Sequence, residues 1–230
     1  MKLRSLLPLF ALVFAALGCS MLKNFGSNGQ QGNSSTVNSN GSSTGSTSTD
    51  SSGPFSPSGD PRADIERMAD RFLSQKAFRT KMTGTGETPL KMEAEYSAPD
   101  RFRLKTSNGA ETVIIGKDVY LKVGDKWQKM PGDIGSTVPD LRKSFDEQSR
   151  KWLSDVKYIG EETVNGKPSL VYQYHNKGPG GVGENDSKVW IAKSDGLPVK
   201  IEATYTSGNL KSMLIEYEYD QSITIEPPVK

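Results

Sequence analysis

After residue 76 the apolar side chains of this chain recur at every second position, in short runs interrupted by Asn-Gly, Asp-Gly and Gly-rich turns. A helix repeats its apolar face about every 3.6 residues, so this pattern reads as strands joined by hairpins. Strands are expected at 78–84, 90–96, 101–107, 111–116, 119–124 and 126–130, and again at 157–164, 169–176, 187–193, 198–205 and 211–219. Asn108-Gly109, Asn165-Gly166 and Asp195-Gly196 are strong hairpin signals, because tight two-residue turns need positive φ. Leu90, Met92, Ala94 and Tyr96 oppose Lys91, Glu93 and Glu95, and Met213, Ile215 and Tyr217 oppose Glu216 and Glu218. Such a sheet has one dry face and one wet face.

Two segments keep helical spacing. In 61–75, Ile65, Met68, Phe72 and Leu73 form a stripe behind the start signal Asp60-Pro61. In 136–156, Val138, Leu141, Phe145, Trp152 and Val156 do the same, and Thr137 with Asp140 has the form of a capping box. The expected fold is therefore α+β: a curved antiparallel half-barrel of about eleven strands covered by two amphipathic helices. Two short helices are a small cover for so wide an apolar face, which predicts leftover apolar volume. Leu90, Met92, Phe102, Leu104, Leu121, Ile201, Met213, Ile215 and Tyr217 are its expected lining. The three methionines at 82, 92 and 213 fit a packed core and an adaptable acyl-chain surface equally well.

The N-terminal region cannot contribute to that core. Lys2 and Arg4 precede an apolar run from Leu6 to Leu17, which ends at Gly18-Cys19. The run is too short to span a bilayer and has the layout of a secretory signal, so 1–18 is expected to be removed. Residues 26–60 include 29 Ser, Thr, Gly, Asn or Gln in 35 positions. With so little to bury, 19–60 is expected to be a disordered tether and 61–230 the domain.

Charge and composition exclude several functions. From Cys19 onward 27 basic side chains balance 27 acidic ones, with no basic concentration for nucleic acid. One His and one Cys leave no disulfide framework, Cys/His zinc site or Cys-His catalytic pair. Gly178, Gly180 and Gly183 satisfy G-x-G-x-x-G, but a strand follows instead of the helix a pyrophosphate needs, so a hairpin loop is expected. His175 sits opposite Tyr172 and Tyr174 on its strand with no nucleophile motif, which suits a surface residue. Adjacent Glu161 and Glu162 point to opposite sides of a strand and cannot work as an acid-base pair on one face. No enzyme and no cofactor are expected.

The sequence FAALGCS, residues 14–20, resembles a bacterial lipobox, which implies that Cys19 is the lipidated first residue of the mature chain. Over 61–228 the element order is similar to that of the LolA/LolB and LppX/LprG-like lipoprotein carrier family, half-barrels that hold acyl chains in an apolar cavity. YSAPDRFRLK (96–105), WIAKSDGLPVKIEA (190–203) and ITIEPP (223–228) carry the local likeness. The pattern departs at Ala98, where the LolA carriers place the Arg that helps hold their lid, which implies an anchored binder closer to LolB or LppX. The resemblance implies a monomeric cell-envelope lipoprotein, anchored through Cys19 and facing the periplasm if the host is diderm. Its partners would be lipid or an acylated lipoprotein, bound for transport. An envelope-stress sensor of the same fold, acting through a protein partner, is the competing expectation.

Overall fold

The computed structural model describes residues 53–87, 89–133, 135, 141–178 and 183–229; Cys19, the leader and most of the tether lie outside them. One helix opens the fold, α1 (Pro61–Leu73). Asp60 caps it by accepting from the Arg62 N–H at 2.9 Å and the Ala63 N–H at 3.3 Å, and Pro61 fills the first turn, where no N–H is needed. Ile65, Met68, Ala69 and Phe72 form the buried stripe.

All eleven expected strands are present. They are β1 (Ala77–Gly86), β2 (Leu90–Ser97), β3 (Arg101–Thr106), β4 (Glu111–Ile115), β5 (Asp118–Val123), β6 (Lys126–Lys129), β7 (Leu153–Val164), β8 (Lys167–Asn176), β9 (Asn185–Ala192), β10 (Pro198–Tyr205) and β11 (Leu210–Glu218). They make a single open antiparallel sheet in the order β6-β5-β4-β3-β2-β1-β11-β10-β9-β8-β7. The chain thus builds two meanders outward from the central β1·β11 pair. Flat, the sheet would hold β5 and β8 roughly 38 Å apart. Val119 of β5 and Tyr172 of β8 nevertheless share one continuous buried cluster with Phe72 of α1, because the sheet curls around the helix.

The second expected helix is corrected. In place of one amphipathic helix over 136–156, a 3-10 turn at Leu141–Phe145 is followed by the four-residue α2 (Glu147–Arg150), and 153–156 joins β7. Asp146 accounts for the break: its side chain accepts from the Ser149 N–H at 2.8 Å and starts a new helix where the stripe required continuity. The Thr137/Asp140 box and Val138 lie outside the described residues. Phe145 carries the cover inward, 4.6 Å from the Phe72 ring, and Leu153 and Val156 lean on the same core.

The boundary at 60 also moves. Phe55 is 1% exposed in the main core, where Arg67 and Arg71 lie over its ring at 4.4 and 5.3 Å, and its N–H donates to the Lys193 carbonyl at 2.8 Å. Residues from Gly53 onward belong to the folded unit. Gly196 makes this docking feasible: its φ is +70°, and a Cβ there would stand 2.5 Å from the Phe55 ring.

The two Asn-Gly signals produce different turns. Asn165 and Gly166 both have positive φ, the two-residue form. At 108–109 only Gly109 does, and the Asn108 side chain instead accepts from the Ala110 N–H at 3.1 Å in a longer loop.

Candidate functional site: the inner face of the sheet

Register sets the composition of the inner face. One row runs Met92–Met82–Ile215–Ile201–Val189–Tyr172 across six strands, and the next includes Ala94, Thr80 and Tyr217. Acidic and basic residues fall on the alternate positions, so the inward surface of these strands is apolar or hydroxyl-bearing.

The nine expected lining residues divide by accessibility. Met92, Phe102, Ile201 and Met213 are buried at 2, 9, 6 and 6% exposure. Phe102 and Ile201 belong to the main core, while Met92 and Met213 pack with Met82, Ala94 and Ala203 in a second cluster. Leu90, Leu104, Leu121, Ile215 and Tyr217 are half-buried and lean on those clusters. The inner face is thus filled in two clusters, with half-buried apolar residues at their margins.

Polar groups on this face are few. Asp64 of α1 is 1% exposed and fixes the helix to the sheet. The Tyr172 hydroxyl donates to it at 2.7 Å, the Ser58 N–H at 3.0 Å, and the Arg67 guanidinium also donates. Burial pushes its carboxyl pKa up, but the hydrogen bonds from Arg67, Ser58 and Tyr172 outweigh that and hold it below the ordinary carboxylate value. At the sheet end of the same anchor, Arg62 donates to the Leu153 and Arg150 carbonyls, both at 2.9 Å.

Among the other inward tyrosines are Tyr174, Tyr205, Tyr217 and Tyr219. Burial raises the pKa of each phenol, with Tyr174 pushed up to about 12. Tyr219 donates to the Pro198 carbonyl at 2.7 Å, and its ring stacks with that of Tyr217 at 6.4 Å. All four remain neutral donors at physiological pH.

The outer face carries the charge. Arg79, Glu95, Arg103, Glu111, Lys122 and Glu218 form a checkerboard of ion pairs, with Arg79 to Glu95 at 2.7 Å, along a groove of about 380 Å³. Signs alternate along it. His175 is also outside, between Asp186 and Glu184 at 2.9 Å each, and Asp186 first and then Glu184 raise its pKa. Glu162 pairs with Lys188 and Trp190 and Glu161 with Lys193, so the two carboxylates have separate partners. Of the glycine motif, only Gly178 and Gly183 are described; β9 begins two residues after Gly183. Among the described residues no group of three His, Cys, Asp or Glu could hold a metal, and no helix is long and apolar enough to cross a membrane.

Sequence reasoning missed the Asp64–Tyr172 anchor and Phe55. A lone Phe between Pro54 and Pro57 at the end of a polar tract was the available signal for the second. Tyr174 and Tyr205 were legible as inward-facing but not as part of a cluster.

Neither a protein-family model nor a curated protein sequence matches the chain. Solved structures do resemble it. The lipoprotein LppX of Mycobacterium tuberculosis is 15% identical, with a TM-score of 0.53 over 74% of this chain and 100% of LppX. LprF of Mycobacterium bovis is 12% identical, with a TM-score of 0.56 over 76% of this chain and 100% of LprF. The chain has the LppX-like fold expected from its element order.

Proposed function

We propose that this chain is a membrane-anchored lipoprotein, held through Cys19, that binds the acyl chains of a lipid or of another lipoprotein against the inner face of its half-barrel and carries them within the cell envelope. The observation that supports this reading most is the set of half-buried apolar residues Leu90, Leu104, Leu121, Ile215 and Tyr217 on the inner face of a sheet whose acidic and basic residues pair on the other side. Apolar surface left accessible in a concave site is a binding surface. Burying a chain of about 16 carbons there is worth on the order of 12 kcal/mol before association and ordering costs. Such a ligand needs no charged contact, which agrees with the apolar side chains around those positions. The LppX-like fold, found in a protein described as a lipoprotein, supports the same reading.

The test is mass spectrometry of lipid extracted from the purified full chain. Acyl lipid is expected in about stoichiometric amount. Leu104→Trp and Ile215→Trp fill open space, so they are expected to lose the lipid while unfolding within about 1 kcal/mol of wild type. Met92→Trp overpacks a filled cluster and costs about 1–3 kcal/mol. Wild type without lipid, or tryptophan variants that keep it, would overturn the proposal; a protein partner recovered in place of lipid would point to the sensor instead.

A further inference from the structure

On the outer side of the sheet a second cleft differs from the groove of paired charges. It holds about 430 Å³ and is lined by Asp155 and Lys157 of β7, Gln173 and His175 of β8, Lys177 just beyond that strand, and Asp186 of β9. His175 is fixed between Asp186 and Glu184 and forms a rigid wall. The other groups are unengaged: among the described residues, the side chains of Asp155, Lys157, Gln173 and Lys177 make no hydrogen bond and no ion pair. Opposite charges thus line one space without closing on each other. The backbone that presents Asp155 is unusual. Ser154 pairs with His175 and Lys157 with Gln173, so Asp155 and Val156 together face Tyr174, a bulge with one extra residue. Asp155 has a φ of +53°, the left-handed conformation that glycine adopts most readily. An aspartate in that conformation is commonly held by a local hydrogen bond of its own side chain, and this carboxylate makes none among the described residues. A bulge that keeps a carboxylate in such a state beside a cleft, without using it in the fold, points to a ligand for that carboxylate.

We propose that this cleft binds a small zwitterion, a primary ammonium and a phosphate a few bonds apart, with Asp155 accepting from the ammonium and Lys157 and Lys177 donating to the phosphate. A simple anion would meet Asp155 as a like charge, and a simple cation would meet two lysines. A molecule that carries both charges avoids both conflicts. The ammonium supplies N–H donors to a carboxylate that has none, and two lysines suit a phosphate, whose charge exceeds one at neutral pH. The chemistry is that of phosphoethanolamine, either free or as the headgroup of a phospholipid. Gln173 and His175 alternate along β8 with the inward Tyr172 and Tyr174, so the cleft is separate from the inner face and does not depend on the acyl-chain reading.

The experiment is an NMR titration of the isotope-labelled full chain near pH 7 with phosphoethanolamine, with inorganic phosphate, with ethanolamine, and with glycerophosphoethanolamine, the phosphodiester of a lipid headgroup without its acyl chains. Phosphoethanolamine is expected to give saturating shifts at 155–157, 173–177 and 186, with a dissociation constant on the order of a millimolar, and to bind more tightly than phosphate or ethanolamine. Asp155→Asn removes the charge and tolerates positive φ, so it is expected to weaken phosphoethanolamine by about threefold to fivefold, the worth of one exposed ion pair, with Tm unchanged. Asp155→Gly should lose the same affinity with Tm no lower than wild type, because the fold does not use the carboxylate. Lys157→Met and Lys177→Met are expected to weaken phosphoethanolamine and phosphate alike. Tighter binding of the diester than of the monoester identifies a lipid headgroup as the ligand and the reverse a soluble one; either result upholds the site. No saturating shift from either compound, phosphate binding as tight as phosphoethanolamine, undiminished binding by Asp155→Asn, or a lowered Tm in Asp155→Gly would overturn it and leave acyl-chain binding untouched.

Discussion

Asp64 connects helix to sheet through one carboxylate, and its environment makes the consequence of losing it predictable. Asp64→Asn keeps the shape but removes the charge that Arg67, Ser58 and Tyr172 share. At pH 7 the substitution is expected to cost about 2 kcal/mol, measured by urea unfolding. Because the folded-state pKa is depressed, this stability is present above the unfolded value of 3.8 and disappears as pH falls through the lower folded value. The gap between variant and wild type should therefore close in acid; a gap independent of pH would contradict the assignment. His175 has the opposite sign. Asp186 and Glu184 raise its pKa, so its contribution is complete below the unfolded value of 6.5 and is lost as pH rises through the folded one. His175→Gln should lower Tm near pH 5.5 and be silent near pH 9; a difference that grows with pH would contradict this.

At the level of elements, the strands and the first helix were legible and the second cover was not. Alternation such as Leu90-Lys91-Met92-Glu93 is produced by a half-wet strand and by little else, which is why every strand was found within a few residues. The stripe Val138, Leu141, Phe145, Trp152, Val156 has helical spacing, yet Asp146 restarts the helix and β7 begins at Leu153, where Leu153 and Ser154 already pair with β8. Local spacing cannot show that a neighbouring strand will compete for the same residues. Phe55 was hidden for another reason: one aromatic in a polar tract carries no period at all. Its role is testable in the full chain. Phe55→Ala removes a ring that is 1% exposed and held by Arg67, Arg71 and the β9–β10 turn, so a loss of about 3 kcal/mol is expected in urea unfolding. A loss below about 0.5 kcal/mol would return the domain boundary to residue 60.

For the whole molecule, the asymmetry between the faces decides the account. Ion pairs of alternating sign cover the outer side of β1 to β5 and β11, whereas the inner surface is apolar and partly open, with Asp64 as its buried carboxylate where α1 docks. Sequence alternation already separated these faces residue by residue. It could not show which inward residues are filled, because that depends on how far the sheet curls around α1 and how much of it Phe145 and Phe72 cover. The most direct measurement is photolabelling of the full chain with methyl palmitate carrying a mid-chain diazirine, followed by mass-spectrometric mapping of the labelled residues. The account predicts labels concentrated on Leu104, Leu121, Ile215 and Tyr217, suppressed by excess unlabelled ester; labels on outward residues such as Trp127 and Ile223, or none that excess ester suppresses, would contradict it.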